Sequence, residues 1–493
     1  MASRVDRVRE RFASATPDQS HVLTFYDSLS GPAQAELLSQ LESIDPVAVS
    51  ASYTRAVEAD KRAASGQDAG SIAPPPAEAS GSLVGGGAQA SAWHQKGLEA
   101  IRSGTVAVLC LAGGQGTRLG YSGPKGCYDI KLPSHKSLFQ LQAERLRALS
   151  KLAGGRVPWY IMTSGPTHEP TRSYFAEHKY FGLDPADVTF FNQGVMPCFD
   201  EASGGKFLLD SKGALAVAPD GNGGLYPALR APIAAGSERT VLSDMRARGV
   251  NVVHAYCVDN CLVRVADPYF IGYCVERNAD VGALVVRKTE PAESVGVLAL
   301  RDGKFNILEY SELPKALAEQ RDERDPSQLA FRAANIANHF YTLDFLDRVH
   351  EFQTSLHVAR KKVPHVDLET GEAVKPEKPN AIKLEAFIFD VFPFAQRMAV
   401  LEEDRRECFS PLKNKAGTGA DDEGTSRAAL LAQQRRWIQA AGGSVGEYEI
   451  ELAPGVSLYG EGLESVKGGS ATKSGSVESA DALAQYFARS FNS

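Results

Sequence analysis

The sequence predicts an α/β protein built on a mixed, mostly parallel sheet. Three features carry that expectation. An unbroken apolar run, Thr105 to Leu111, leads directly into the glycines Gly113, Gly114 and Gly116, as a strand buried on both faces does before a strand-to-helix turn. A second run, Asn251 to Val258, apolar but for Asn251 and His254, ends in Asp259-Asn260. From 105 to about 400 strand-like and helix-like stretches alternate, the order in which helices cover both faces of a parallel sheet. With 493 residues and 43% hydrophobic side chains, the chain exceeds one ordinary domain and suits a large core with appendages.

Residues 17–45 read as two short helices: Val22, Phe25 and Leu29 fall at helical spacing, as do Leu37, Leu41 and Ile44, and Gly31-Pro32 separates the two sets. Residues 65–91 are rich in Gly, Ala, Ser and Pro and read as a mobile linker. A helix is expected over Trp93–Ile101, followed by the strand Thr105–Leu111. Ser137–Leu152 is an amphipathic helix, Val157–Met162 a strand, Thr167–His178 a helix and Val188–Phe191 a strand. Lys206–Leu209 and Gly213–Val217 read as a hairpin, and Pro219-Asp-Gly-Asn-Gly-Gly224 as a loop that no ordinary turn requires. Further strands are expected near 281–287, 294–300, 304–310 and 336–342. Asn414–Ser426 reads as a flexible loop. The remainder mixes a helix (Ser426–Ala441), a short β region (Tyr448–Glu461) and a final helix (Ser479–Phe491). The expected organisation is an N-terminal helical region with linker (1–92), a catalytic α/β domain (93–405) and a small C-terminal α+β domain (406–493).

The net charge of −7 disfavours non-specific binding to nucleic acid. The seven cysteines are odd in number and scattered, with no Cys-x-x-Cys pair, as in a reducing cytoplasm rather than in a disulfide frame or zinc site. The ten histidines show no metal-ligand spacing. The N-terminus has no apolar signal core, and no apolar run approaches the length of a membrane span.

The segment Leu111-Ala-Gly-Gly-Gln-Gly-Thr-Arg-Leu-Gly120, continuing to Pro124-Lys125, is the centre of the chemistry. Glycine lets a backbone take positive φ and approach a ligand, and successive N–H groups in such a turn form an anion nest. Arg118 and Lys125 add two cations suited to phosphate oxygens. The segment lacks the Gly-Lys-Ser/Thr of a P-loop, and Arg118 and Leu119 break the Gly-x-Gly-x-x-Gly dinucleotide fingerprint. A nucleoside triphosphate or similar polyphosphate is the expected ligand. Asp259, at the carboxyl end of its strand, lies where ligands bind in open α/β sheets.

Further stretches share one pattern: Pro124-Lys-Gly-Cys-Tyr-Asp129, Leu132-Pro-Ser-His-Lys-Ser-Leu-Phe-Gln140, Trp159-Tyr-Ile-Met-Thr-Ser-Gly165, Pro219–Gly224, Tyr256-Cys-Val-Asp-Asn260, Asn335-Ile-Ala-Asn-His-Phe340 and Phe409-Ser-Pro-Leu-Lys-Asn414. Together with the glycine loop they resemble the eukaryotic UDP-N-acetylglucosamine pyrophosphorylase family, from about Trp93 to Lys413. The resemblance implies a Rossmann-like (GT-A-like) nucleotidyltransferase core with small N- and C-terminal domains. It implies nucleotide contacts at Leu111, Ala112, Gly113, Gly114, Lys125, Gln193, Gly221, Asp259 and Lys383, with Gln193 and Gly221 reading the uracil. It implies sugar-phosphate contacts at Asn222, Glu309, Tyr310, Asn335 and Lys413, and catalytic roles for Arg118, Lys125 and Lys383. Asp259 would also be the metal carboxylate, with Mg2+ (or Mn2+) as cofactor. Lys131 departs from the pattern, lying where relatives often have glycine.

The activity implied is transfer of uridylyl from UTP to N-acetylglucosamine 1-phosphate in a cytoplasmic monomer or homodimer, with no nucleic-acid or membrane partner. The phosphate nucleophile is already anionic, so neither His135 nor His339 is needed as a proton shuttle. The rival readings are a pyrophosphorylase for another sugar 1-phosphate (glucose, galactose or N-acetylgalactosamine) and a non-catalytic nucleotide-sugar sensor. Loss of Arg118, Lys125 or Asp259 would signal the sensor, and all three are present.

Overall fold

A computed structural model describes all residues except 1–2, 66–69, 87–88, 235 and 490–493. The chain divides into two compact units. The first comprises 1–71, 193–227 and 352–391, and the second 72–192, 228–351 and 392–493.

The second unit is built on a sheet of eleven strands among the described residues. Its main path runs Ser80–Ser82, Met398–Glu403, Val281–Arg287, Ala333–Thr342, Val252–Cys257, Val106–Leu111, Trp159–Thr163, Val188–Asn192. Every neighbouring pair on this path is parallel except those made by Ala333–Thr342, which runs antiparallel to both its neighbours. The α/β expectation and the mostly parallel sheet therefore hold. Val106–Leu111 and Trp159–Thr163 are buried at every position, which is why they read as continuous apolar runs. Helices Leu138–Ala153 and Ala90–Arg102 pack onto the sheet through Leu146, Leu149, Leu98 and Ile101.

Several elements differ from expectation. Of the stretch read as a mobile linker, Ile72–Ala73 pairs with Val297–Arg301, and Ser80–Ser82 joins Met398–Glu403. Gly81 makes this possible, since a Cβ there would stand 2.7 Å from the Tyr273 ring. Residues 66–69 and 87–88 of that stretch lie outside the described residues. The loop read as flexible is tied to Asp422, whose carboxylate accepts N–H groups from Gly417 (3.1 Å), Gly419 (2.9 Å) and Thr425 (2.9 Å). The same carboxylate caps the helix Glu423–Ala440. The expected final helix is instead a short helix, Leu483–Tyr486, and a strand, Phe487–Arg489, whose backbone pairs with Gly469–Ala471.

The first unit packs helices Arg4–Ala13, Gly31–Glu42 and Pro46–Ala64 against a four-stranded sheet in the order His357–Lys361, Ala381–Glu385, Phe199–Asp200, Lys206–Phe207. Its core holds Phe12, Leu41, Phe199, Phe207 and Ile382, with Tyr53 stacked on Phe199 at 4.6 Å. Residues 17–29 form two 3-10 turns, and only Gly31–Glu42 is the expected α-helix. Pro46–Ala64 is capped by Asp45, which accepts the Val47 and Ala48 N–H groups at 3.1 and 3.0 Å. Among the described residues no helix is long and apolar enough to cross a membrane.

Two glycines let Ala90–Arg102 and Pro268–Glu276 touch backbone to backbone. A Cβ on Gly97 would lie 1.9 Å from the Pro268 carbonyl oxygen, and one on Gly272 would lie 1.8 Å from that of Trp93. No side-chain rotation relieves such an overlap. Gly272→Ala should therefore lower stability by about 3 kcal/mol or more, the upper range for overpacking. An unchanged urea midpoint would show that the two helices can separate at no cost.

Candidate active site

The strand Val106–Leu111 pairs in parallel with Val252–Cys257, Leu111 level with Cys257. Both strands thus end at one edge of the sheet, the edge where open α/β sheets bind ligands. Beyond Leu111 the Ala112 N–H donates to the Met162 carbonyl (2.8 Å), and the Ser164 hydroxyl donates to the Gly113 carbonyl (2.7 Å). The loop then returns on itself: the Lys125 N–H donates to the Gly114 carbonyl (3.1 Å) and the Gly116 N–H to that of Gly123 (2.9 Å). Among the described residues none accepts a hydrogen bond from the N–H groups of Gly113, Gly114 or Gln115. The expected left-handed nest does not form, because Gly120 (φ +77°) is the glycine of this segment with positive φ. Gly116 and Gly123 instead make room for Tyr121, whose ring would lie 2.7 Å from a Cβ at either position.

Lys125 Nζ donates to Asp259 Oδ2 at 3.0 Å, with the two side chains 17% and 18% exposed. Asn260 builds the floor beside this pair. Its Oδ1 accepts N–H groups from Leu262 (3.2 Å) and Ser410 (3.0 Å), and its Nδ2 donates to the Cys408 carbonyl (2.8 Å). The Leu412 N–H donates to the Asp259 carbonyl at 2.9 Å. Lys413 is therefore carried to the Asp259 turn. Burial pushes the Cys257 thiol up to about 12; Asp259 adds to the rise, while Lys413 and Lys125 oppose it. Arg118 is exposed and forms no hydrogen bond or ion pair among the described residues. Lys131 has φ +61°, which accounts for glycine suiting this position. Among the described residues no cluster of three or more His, Cys, Asp or Glu side chains could hold a metal ion.

The antiparallel strand Ala333–Thr342 begins at the same sheet edge. The Asn335 N–H donates to the Gly296 carbonyl at 2.9 Å, and a Cβ on Gly296 would lie 3.0 Å from a Glu309 carboxylate oxygen. The missing side chain of Gly296 leaves room for the Glu309 carboxylate at the residue whose carbonyl Asn335 bonds. Tyr310 is 57% exposed and, among the described residues, is tied to neither by a hydrogen bond. His339, excluded as a proton shuttle, is buried with Nε2 3.0 Å from Asn335 Oδ1. His135 is exposed and lies 3.1 Å from Asp129.

In the first unit, Gln193, Gly221, Asn222 and Lys383 gather around the strand Ala381–Glu385 and its exit. Gln193 Nε2 donates to Asp220 Oδ1 (3.4 Å) and to the Gly221 carbonyl (3.3 Å). Gly221 has φ +86°, and a Cβ there would meet the Ala386 carbonyl at 2.3 Å. The Gly223 N–H donates to that carbonyl, and the Ala386 N–H donates to the Asp220 carbonyl, both at 2.8 Å. Asn222 Oδ1 accepts the Ile388 N–H at 2.9 Å. Lys383 lies within the strand, paired with Ala359.

Sequence reading missed Asp220, although it lies inside the loop singled out. Burial pushes its carboxyl up to about 6, against the help of Gln193. A carboxyl whose folded pKa is raised favours the fold while protonated, so stability falls as pH rises from about 4 through about 6. Asp220→Asn keeps the shape and an acceptor for Gln193. It should unfold at higher denaturant than wild type at pH 7.5, with a gain of at most about 3 kcal/mol, and the gain should vanish near pH 4. Urea titrations at the two pH values check this, and equal gains at both would show that Asp220 ionises at no cost.

The comparisons with known proteins agree with this geometry. The family model described as UTP–glucose-1-phosphate uridylyltransferase matches residues 57–461. The chain is 45% identical over 480 residues to the UDP-N-acetylhexosamine pyrophosphorylase-like protein 1 of Xenopus tropicalis, covering 91% of each chain. It is 42% identical over 472 residues to the UDP-N-acetylglucosamine pyrophosphorylase of Saccharomyces cerevisiae, covering 93% of this chain and 97% of the yeast one. The crystal structure of the uridine diphosphate N-acetylglucosamine pyrophosphorylase from Trypanosoma brucei in complex with inhibitor superposes with a TM-score of 0.81 at 30% identity, covering 94% of this chain and 95% of that one. The nucleotidyltransferase-like α/β core, the paired Lys125 and Asp259 and these likenesses lead to one conclusion: the chain belongs to the UTP–glucose-1-phosphate uridylyltransferase family and, within it, to the eukaryotic UDP-N-acetylglucosamine pyrophosphorylases.

Proposed function

We propose that this protein transfers uridylyl from UTP to N-acetylglucosamine 1-phosphate, releasing pyrophosphate and UDP-N-acetylglucosamine. The observation that carries the proposal is the Lys125–Asp259 pair at the carboxyl edge of the sheet, beside the unengaged N–H groups of Gly113–Gln115. A phosphate oxygen of the sugar phosphate attacks the α-phosphorus of UTP in line. The new P–O bond forms as the bond from the α-phosphorus to the bridging oxygen breaks, and the electron pair leaves with pyrophosphate. No proton has to move, so the groups required are those that hold and neutralise phosphates. Leu111, Ala112, Gly113 and Gly114 present backbone to the nucleotide. Lys125, Arg118, Lys383 and Lys413 serve the phosphates. Gln193 and Gly221 read the uracil, and Asn222, Glu309, Tyr310 and Asn335 serve the sugar.

A divalent ion, Mg2+ or Mn2+, belongs to this reading as cofactor. Asp259 offers one carboxylate, and one of its oxygens meets Lys125. The donor set fits an ion held chiefly by substrate phosphates and water, the habit of Mg2+. When bound, such an ion would offset the charge that builds as two phosphates approach. The free state of all seven cysteines fits a reducing cytoplasm.

Pyrophosphate release with UTP and a panel of sugar 1-phosphates tests the activity. N-acetylglucosamine 1-phosphate should be the best substrate, and a kcat/KM for glucose 1-phosphate equal to it would move the chain to another sugar. Lys125→Ala should lower kcat/KM by roughly two orders of magnitude, the cost of losing one donor aimed at developing charge. Near-normal turnover in the folded variant would remove Lys125 from the machinery.

Asp259→Asn separates charge from shape. The variant should fold, turn over far more slowly and require more Mg2+ for half-maximal rate. A magnesium titration and kcat identical to wild type would assign the ion to substrate phosphates and other groups.

A further inference from the structure

The strand Ala333–Thr342 breaks register at the sugar-side residue Asn335. Against Val281–Arg287, Leu284 faces Asn338 while Val285 faces Asn335, so Ile336 and Ala337 form a bulge. Ala337 has φ +52°, a conformation an alanine holds only when its surroundings impose it. The constraint is a short chain of polar atoms. The Ala337 N–H lies 3.2 Å from Asn335 Oδ1, and His339 Nε2 lies 3.0 Å from the same oxygen. On the other side of the ring, His339 Nδ1 lies 3.1 Å from the Tyr341 hydroxyl. His339 and Tyr341 are both fully buried.

The hydrogens in this chain have one consistent direction. A backbone N–H can only donate, so the Asn335 atom that meets Ala337 is the oxygen and the amide orientation is settled. An amide oxygen can only accept, so His339 Nε2 carries the hydrogen. Burial, with His254 adding, holds the imidazole down to about 3 and therefore neutral. A neutral ring with hydrogen on Nε2 accepts at Nδ1, so the Tyr341 hydroxyl donates to it. Asn335 Oδ1 is then filled by two donors. Among the described residues no hydrogen bond engages Asn335 Nδ2.

We propose that His339, whose Nε2 hydrogen is committed to Asn335 Oδ1, is a positioning residue that makes Asn335 a pure hydrogen-bond donor toward the sugar phosphate. The inference rests on Asn335 being a sugar contact, as argued above. A donor-only amide takes an oxygen that can accept, whether hydroxyl or acyl carbonyl. It faces a protonated amine with hydrogens on both sides and leaves both unpaired, the arrangement that discriminates most strongly. Glucosamine 1-phosphate is therefore the informative probe.

His339→Leu removes one of the two donors on Asn335 Oδ1 and leaves the amide held by the 3.2 Å contact from the Ala337 N–H alone. In the full-length enzyme it should raise KM for N-acetylglucosamine 1-phosphate about tenfold, leave KM for UTP within twofold, and cut the preference over glucosamine 1-phosphate about tenfold. Tyr341→Phe, losing a single hydroxyl, should move the same quantities about threefold. His339→Gln, whose amide can still donate, should recover part of the loss. In an Asn335→Ala background His339→Leu should add nothing. The proposal is overturned if His339→Leu leaves preference and KM at wild-type values, if its effect multiplies with that of Asn335→Ala, or if both substrates' KM rise together. Should His339→Leu fail to fold, Tyr341→Phe and the 15N spectrum of wild-type histidines at pH 7 decide, and an Nδ1-protonated His339 overturns it. If Asn335→Ala alone leaves KM for the sugar phosphate unchanged, the sugar contact itself is wrong and the proposal falls with it, while the uridylyltransferase activity can still stand.

Discussion

Val106–Leu111 and Val252–Cys257 run side by side in one direction, with Leu111 level with Cys257. Everything chemical in the second unit follows from that pairing. Because the strands are parallel and level, the chain leaves both at the same edge, and the glycine loop and Asp259 cannot be far apart. Lys125 closes the short circuit between them, reaching Asp259 at 3.0 Å. Asn260 then fastens the segment Cys408–Ser410 with two hydrogen bonds, and the Leu412 N–H bonds the Asp259 carbonyl, bringing Lys413 to the turn. A shift of one residue between the strands would exchange the side chains packed on the two covered faces of the sheet, so core packing and site geometry are specified together.

The charge balance at that edge is deliberate in a chain of net charge −7. Asp259 alone would repel a triphosphate, and Lys125 alone would be a cation partly withdrawn from water. Paired, each offsets the other's charge, and removing one leaves the other unmatched. A triphosphate offers Lys125 more negative charge than one carboxylate does. In the proposed function the pair would exchange partners when a nucleotide enters, which a deeper and fully satisfied ion pair could not do without a larger cost.

What could be read from the sequence was whatever local pattern controls. The two central strands announce themselves because burial on both faces demands unbroken apolar residues, and the glycine loop because its residues are contiguous. The long helix Pro46–Ala64 escaped because its buried positions, such as Tyr53 and Ala56, sit among alanines and polar residues that draw no apolar stripe. The supposed linker escaped because Gly81 owes its role to Tyr273, a residue far along the chain. Within the site, the loop Pro219–Gly224 was conspicuous, yet the burial of Asp220 depends on how Gly194 and Gly224 close over it. Glu309 and Asn335 both approach Gly296, the one because its side chain is absent and the other through its carbonyl, and no local pattern marks that.

Asn335 and Asn222, proposed above as sugar contacts, obey a different logic from the cations proposed for the phosphates. Asn335 and Asn222 each spend the amide oxygen on a backbone N–H, that of Ala337 in one case and of Ile388 in the other. A backbone N–H cannot accept, so each contact fixes which way its amide faces. Side-chain amides can otherwise flip with little cost, and a flipped amide would offer an oxygen where a hydrogen is wanted. Binding the oxygen to main chain removes that freedom before any ligand arrives, which is preorganisation. At Asn335 the main-chain donor comes from a bulge held in a left-handed conformation, and a buried neutral histidine supplies the second donor. A charged imidazole there would also donate, but it would need a counter-ion in the core of the sheet. A neutral ring with its hydrogen on Nε2, and Nδ1 met by the Tyr341 hydroxyl, gives the same polarity without burying a charge. The cations can then be reserved for phosphates, where their charge is matched.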